Sequence, residues 1–338
     1  MSRRFPAMVT GVAAVAVLGL GLSACGSSGS GSGNASSSGS GGKPGAGKNL
    51  ELVVGTKSDD FYVTMECGAE AEAKALGAKL TVNGPADFSV SEQAPILNSV
   101  AASKPDALIV APTDAKALDP ELTRIQNGGT KLIFVDTSSS DSSLGVSRIT
   151  SDNLGGGKLA ADNLATQIGD KGTVAVIDVN PGISTTDARI QGFDQEMKAK
   201  YPNITVLSTQ YDNDSTATAA SQVSSDIAAH PNLSGVFATN VLSAQGAATG
   251  VQHAGKSGKV KVATFDAEPQ QMQFLKANTI QLAVAQDPYL EGQDGVEQAI
   301  NAVTGKSVKA NIGTPLQAIT RQNMNDPSIQ KFVYKSSC

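Results

Sequence analysis

Residues 50–83 read LELVVGTKSDDFYVTMECGAEAEAKALGAKLTVN, and the order of patterns within them decides the fold. Residues 50–56 form a short apolar run suited to a strand. Residues 61–76 then carry a longer helical pattern that Gly77 closes, and residues 78–83 return to strand character. Working outward, strand-like runs recur at 107–111 and 131–136, a spacing of about 27 residues, with a helical stretch at 91–103 and Gly128 closing another. Near-continuous apolar strands alternating with helices predict a parallel sheet covered on both faces.

A second series begins after Ser151-Asp152-Asn153, a good helix start, where Leu154, Ala161, Leu164 and Ile168 share one face. Its expected strands are 172–179, 204–210, 235–238, 260–266 and 280–285. One architecture is therefore written twice. Open parallel sheets bind ligands at the carboxyl ends of their strands, and the polar residues of this chain gather there. Asp59 follows the first strand, Thr113 and Asp114 the third, Asp136 the fourth, Asn240 the run ending at Ala238, Asp266 its own strand and Gln286 the last, with Arg189 at a helix entry. Helix capping is the competing job for each Asp, Asn or Thr, but capping does not call for Arg189 or Gln286.

Nothing before the first strand belongs to this pattern. Arg3 and Arg4 precede a 14-residue apolar run at 9–22, and Leu22-Ser23-Ala24-Cys25 follows at once. Residues 1–24 are thus an export signal, too short in its apolar part to span a bilayer. Ser23 and Ala24 before Cys25 resemble a bacterial lipobox, which implies that Cys25 is acylated and becomes the mature N-terminus. Residues 26–47 hold nine Gly and eight Ser among 22, so residues 25–47 are expected to be a lipidated cysteine and a flexible tether of about 25 Å end to end.

The 338 residues carry 26 Lys plus Arg against 31 Asp plus Glu. That balance argues against nucleic acid, whose phosphates need clustered cations. Only His230 and His253 are available for metal or acid–base chemistry, and no cofactor or metal motif is present. Residues 250–257, Gly-Val-Gln-His-Ala-Gly-Lys-Ser, spell a phosphate-loop pattern, but a helix precedes it and a strand follows, the reverse of the order a phosphate cradle needs.

The folded chain resembles the periplasmic sugar-binding proteins of ribose-binding type, receptors of ABC importers. The resemblance rests on Val53-Val54-Gly55-Thr56 with Asp59, Phe61 and Tyr62, on Ala111-Pro112-Thr113-Asp114, and on Ile149-Thr150-Ser151-Asp152-Asn153 with Gly155-Gly156. It continues through Asp187-Ala188-Arg189-Ile190-Gln191-Gly192-Phe193, Ala229-His230-Pro231, Val236-Phe237-Ala238-Thr239-Asn240, Phe265-Asp266 and Ala285-Gln286. It implies an α/β fold of the type I periplasmic binding class: two doubly wound parallel-sheet lobes joined by a three-segment hinge. Lobe one would be 48–151 plus 287–314, and lobe two 152–286 plus 315–338. The resemblance places ligand contacts on Asp59, Phe61, Tyr62, Asp136, Thr137, Arg189, Asp214, Asn240, Asp266 and Gln286. Gly55 replaces a hydroxyl side chain of the ribose binder, Thr137 replaces an arginine, and acidic or amide residues around Asp214 replace an aromatic, all of which argue against D-ribose itself.

The chemistry agrees with the resemblance. Sugar hydroxyls suit carboxylates, amides and the guanidinium fork, and C–H faces suit the rings of Phe61 and Tyr62. Arg189 is expected to be held by Asp136 or Asp266. The expected function is a lipid-anchored, monomeric, non-enzymatic receptor that closes on a sugar or polyol and delivers it to an ABC permease and its ATPase, without a cofactor. A receptor for a non-sugar or signalling solute, and an enzyme acting on a small polar substrate, are the alternatives. Cys67 and Cys338 are the only other cysteines; in an exported protein they are expected to pair, with two free thiols as the alternative.

Overall fold

A computed structural model describes residues 42–338, which form one compact unit. The export signal at 1–24, Cys25 and the tether up to Gly41 lie outside the described residues. The folded body begins earlier than the composition suggested. Gly45 donates its N–H to the Leu76 carbonyl (2.8 Å) and Lys43 Nζ donates to the Lys74 carbonyl (2.8 Å), so residues 43–47 cap the end of the first helix instead of extending the tether.

The first sheet contains β1 (Asn49–Val53), β2 (Lys79–Asn83), β3 (Ala107–Val110), β4 (Lys131–Val135), β5 (Ser147–Ser151) and, from far along the chain, β12 (Asn311–Thr314). The second contains β6 (Gly172–Asp178), β7 (Ile204–Val206), β8 (Gln210–Tyr211), β9 (Leu233–Ala238), β10 (Lys261–Phe265), β11 (Leu282–Ala285) and β13 (Gln317–Ile319). Their orders are β12-β5-β4-β3-β1-β2 and β13-β11-β10-β9-β6-β7, with β8 also on β6. Every pairing is parallel except that of β13 with β11. Parallel strands with helices on both faces must be apolar throughout, and β3 is buried at all four residues.

The connecting helices are α1 (Asp60–Leu76), α2 (Val90–Ser103), α3 (Asp119–Asn127), α4 (Asn153–Ile168), α5 (Ser184–Lys200), α6 (Thr216–Ala229), α7 (Val241–His253), α8 (Pro269–Lys276), α9 (Pro288–Val303) and the short α10 (Pro327–Gln330). Strand order reverses between β1 and β3 and between β6 and β9, and these two switch points face the space between the sheets. The chain passes between sheets after Ser151, after Ala285 and between Thr314 and Gln317.

Three departures from the sequence reading have local causes. Residues 204–210 form two strands, because pairing with β6 stops after Val206 opposite Val174 and resumes one residue out of register with Gln210 opposite Ile177. Strands β5, β12 and β13 carry one large apolar residue each and give no strand signal in the sequence. Residues 315–338 do not all join the second sheet: β13 does, but residues 335–338 lie against α1 of the first lobe. There Lys335 N donates to Thr64 Oγ1 (2.7 Å), Ser336 Oγ donates to Asp60 Oδ2 (2.8 Å), and Cys338 is joined to Cys67 by a disulfide.

One close approach sets up the site. A Cβ on Gly157 of α4 would lie 2.0 Å from the Arg189 carbonyl oxygen, and one on Gly192 of α5 equally close to the Leu154 carbonyl oxygen. These glycines bring α4 and α5 into backbone contact and seat Arg189 on a fixed base.

Candidate functional site

The two lobes meet across their switch points. Ala115 N donates to the Gly182 carbonyl (3.1 Å), Ser138 N to Ser184 Oγ (3.0 Å) and Asp60 N to Glu268 Oε1 (3.2 Å), so the cleft is closed. Between the lobes lies a small cavity lined by residues of both. All ten residues singled out as ligand contacts line this one cavity.

Their backbone explains how. Asp136 and Asp266 directly follow β4 and β10 with φ of 56° and 74°, and Asp214 has φ of 56°. This left-handed conformation, which Asp tolerates better than most residues, turns the chain off the strand end into the cleft. Asp59 and Asn240 do cap helices: Asp59 Oδ1 accepts from Phe61 N (2.7 Å) and Asn240 Oδ1 from Ser243 N (2.9 Å). Capping and lining the cavity are compatible, because each cap uses one polar atom.

The four carboxylates share a pattern. One oxygen of each is committed to the protein: Asp59 to Phe61 N, Asp136 to Tyr62 Oη (2.7 Å), Asp214 to Asn240 Nδ2 (2.8 Å), and Asp266 to Gln286 Nε2 (2.7 Å) and Tyr334 Oη (2.9 Å). The second oxygen of each finds no donor among the described residues. Gln286 Oε1 is likewise a buried acceptor without a partner. Asp136 and Asp266 face the guanidinium of Arg189, which is 3% exposed.

The expected carboxylate partner of Arg189 is not what holds it. Its Nε donates to Asn153 Oδ1 (2.8 Å), its Nη1 donates to the Thr239 carbonyl (2.8 Å), and its plane lies 4.1 Å from the Phe265 ring centre. Neutral acceptors and an aromatic face thus fix the fork, while Nη2 makes no hydrogen bond among the described residues. Thr137 turns its hydroxyl to the Pro112 carbonyl (2.8 Å). The glycine at 55 is also explained, since a Cβ there would lie 2.4 Å from the Tyr62 hydroxyl and 2.5 Å from the Phe88 ring.

Thr56, Phe88, Val179, Ile183, Thr185 and Thr186 complete the wall, and sequence reasoning singled out none of them as a contact. Phe88 stacks beside Tyr62 at 6.5 Å and 22°, so the rings come from lobe one and the aliphatic side chains from lobe two. The loop after β2 is also a strand end, and that rule reaches Phe88. The false phosphate loop forms the C-terminal end of α7, with Gly255 at φ 65°, and His253 and Lys256 stand outside the cavity.

Burial raises the proton affinity of these acids. Asp136 is pushed up to about 6 by burial, against the pull of Arg189 and Tyr62. Asp59 lies well above the usual range because of burial and then of Glu268, and Asp266 and Asp214 are raised by burial. Below the cavity, Glu291 accepts from Ser151 Oγ (3.1 Å) and Thr314 Oγ1 (2.8 Å), tying two of the crossings together, and burial pushes it to about 8. Folded-state values above unfolded ones mean that the folded protein holds more protons. Stability is therefore fully present below the ordinary carboxylate range and is lost as pH rises through about 6 for Asp136 and about 8 for Glu291. The unliganded protein is expected to melt at a higher temperature near pH 5.5 than near pH 8.5, with each group contributing at most about 1.4 kcal/mol per pH unit inside its window. Calorimetric melts across that range check this, and a melting temperature that rises toward the alkaline end contradicts it.

Two doubly wound lobes, three crossings between them and a closed cavity of paired acceptors and a donor fork define a hinged binding protein for a small solute. Residues 50–307 match the periplasmic binding protein domain, and the chain belongs to that family of solute-binding proteins. It is similar to an ABC transporter solute-binding protein from Agrobacterium vitis, solved with α-D-tagatopyranose: 43% identity, TM-score 0.84, covering 86% of this chain and all of that one. A carbohydrate transporter solute-binding protein from Agrobacterium radiobacter, in complex with D-arabinose, shows 32% identity and a TM-score of 0.81 over 85% of this chain and 98% of its own. The ribose import binding protein of Escherichia coli is 30% identical over 278 residues, 82% of this chain and 92% of the relative. Among the described residues, no helix is long and apolar enough to cross a membrane and no group of three or more His, Cys, Asp or Glu could hold a metal ion.

Proposed function

We propose that this protein binds one neutral monosaccharide or closely related polyol between its lobes and presents it to an ABC permease and its ATPase. The observation that carries this reading is the set of four carboxylates, each with one oxygen fixed by the protein and the other left for a ligand donor. A hydroxylated ring supplies such donors in number, and Phe61, Tyr62 and Phe88 offer apolar faces for its C–H groups. Anionic sugars fit poorly, since Arg189 stands alone among these acids. The two halves of the contact set belong to different lobes, so the closed form binds best and the ligand draws the hinge shut. Relatives solved with tagatose and arabinose make ketohexoses and pentoses the first candidates.

A thermal-shift screen against pentoses, hexoses, inositols and linear polyols tests the reading. A true ligand at a hundred times its dissociation constant adds about 2.7 kcal/mol, or roughly 5–10 °C in melting temperature. Failure of every sugar and polyol to raise the melting temperature contradicts it.

The same proposal places the protein on the outer face of the cell membrane through acylated Cys25, acting as a monomer on a tether. Cys25→Ala is expected to move the protein from the membrane fraction to the soluble or unprocessed pool. An unchanged membrane share on fractionation refutes the anchor.

A further inference from the structure

We propose that Tyr334 is a positioning residue of the ligand site and that the Cys67–Cys338 disulfide keeps it in place. This inference rests on the sugar-binding reading. Tyr334 belongs to the C-terminal tail and is 3% exposed, yet it does not line the cavity. It acts on three residues that do. Its hydroxyl donates to Asp266 Oδ1 (2.9 Å) and accepts from Gln286 N (3.2 Å), and its ring stands edge-on to Phe61 with centres 5.7 Å apart. With Oδ1 saturated by Tyr334 and Gln286, Asp266 can turn only Oδ2 to a ligand, in one orientation. Burial holds the phenol neutral, as a donor to a carboxylate must be.

The tail reaches this position as a strap between lobes. On one side Tyr334 N donates to the Ala267 carbonyl (3.0 Å) in lobe two. On the other, residues 335–338 lie exposed along α1, held by the Thr64 and Asp60 hydrogen bonds and by the disulfide to Cys67. Exposed hydrogen bonds of about 1 kcal/mol each do not hold a chain end for long, whereas the covalent link does. The helix that carries Cys67 also carries Phe61 and Tyr62, so the clasp fixes Tyr334 against the wall it serves.

The test is titration of the purified protein with whichever of D-tagatose, D-arabinose and D-ribose binds it most tightly, repeated over pH. Tyr334→Phe keeps the ring and removes the hydroxyl; the dissociation constant is expected to rise about three- to tenfold. Asp266 also loses a donor that holds its proton affinity down, so the pH below which binding weakens moves upward. Arg189, Asp136, Asp59, Asp214 and Glu268 also face Asp266, and they are common to both proteins. Cys338→Ser and Cys67→Ser are each expected to weaken binding by a similar factor in the parent and to add little to Tyr334→Phe, because both changes act through one residue. Equal affinity and an unshifted pH midpoint for Tyr334→Phe overturn the positioning role. Fully multiplicative losses overturn the link to the disulfide. A parent protein that binds none of these three and no other sugar or polyol of the thermal-shift screen overturns the proposed function itself, and the role of Tyr334 with it.

Discussion

Arg189→Ala is expected to raise the dissociation constant for the sugar by one to two decades. Among the described residues, the guanidinium is the only cation in a cavity walled by Asp59, Asp136, Asp214 and Asp266. Removing it takes away ligand donors and the charge that opposes the burial of Asp136 and Asp266. Hydroxyls and carboxylates left unpaired cost about 1–3 kcal/mol, which is the stated loss in affinity. Arg189 joins Asn153 at the start of α4, the Thr239 carbonyl after β9 and the face of Phe265, so the unliganded variant should lose a few degrees as well. Arg189→Lys keeps the charge without the fork and should fall between the two. His253→Ala and Lys256→Ala, at the far end of α7, should bind as the parent does. If Arg189→Ala binds with unchanged affinity, the site lies elsewhere.

The second large effect concerns stability. Cys67 and Cys338 are 271 residues apart in sequence and bonded across the folded body, so the link closes nearly the whole chain into a loop. In the chain-entropy model such a loop stabilises by about 5.6 kcal/mol, an upper figure because unfolded chains keep some structure. Cys67→Ser or Cys338→Ser is therefore expected to lower the melting temperature by about 10 °C, at the 2–4 °C per kcal/mol usual for a chain of this size. Scanning calorimetry measures it, with thiol titration of the unfolded, non-reduced parent as the control. Two free thiols in that control, or a variant that melts with the parent, refute the bond.

How much of this was legible in the sequence depends on which physical signal each part left. Buried parallel strands such as residues 107–110 and 131–135 announce themselves through unbroken apolar runs. The rule that open sheets bind at strand ends then brings Asp136, Asn240, Asp266 and Gln286 to one place without knowledge of side-chain contacts. Strands β12 and β13 lie at sheet edges and need no such run, and β5, between β12 and β4, alternates buried and half-buried residues, so Ile149 is its one large apolar residue. What holds Arg189 was also hidden: Asn153 and the Thr239 carbonyl are neighbours only once α4, α5 and β9 have packed, and a carboxylate was the natural but mistaken guess. Tyr334 left no signal at all, since it follows no strand and reaches Asp266 only because the tail folds back across both lobes. Composition misplaced the start of the body, since Gly45 looks like tether and serves as a cap for α1.

The most direct test of the account is titration calorimetry of the parent protein and of Arg189→Ala with the sugar that gives the largest thermal shift. One site per chain in the parent and at least a tenfold loss of affinity in the variant are expected. No binding heat from any neutral monosaccharide or polyol, or equal affinity in the two proteins, contradicts it.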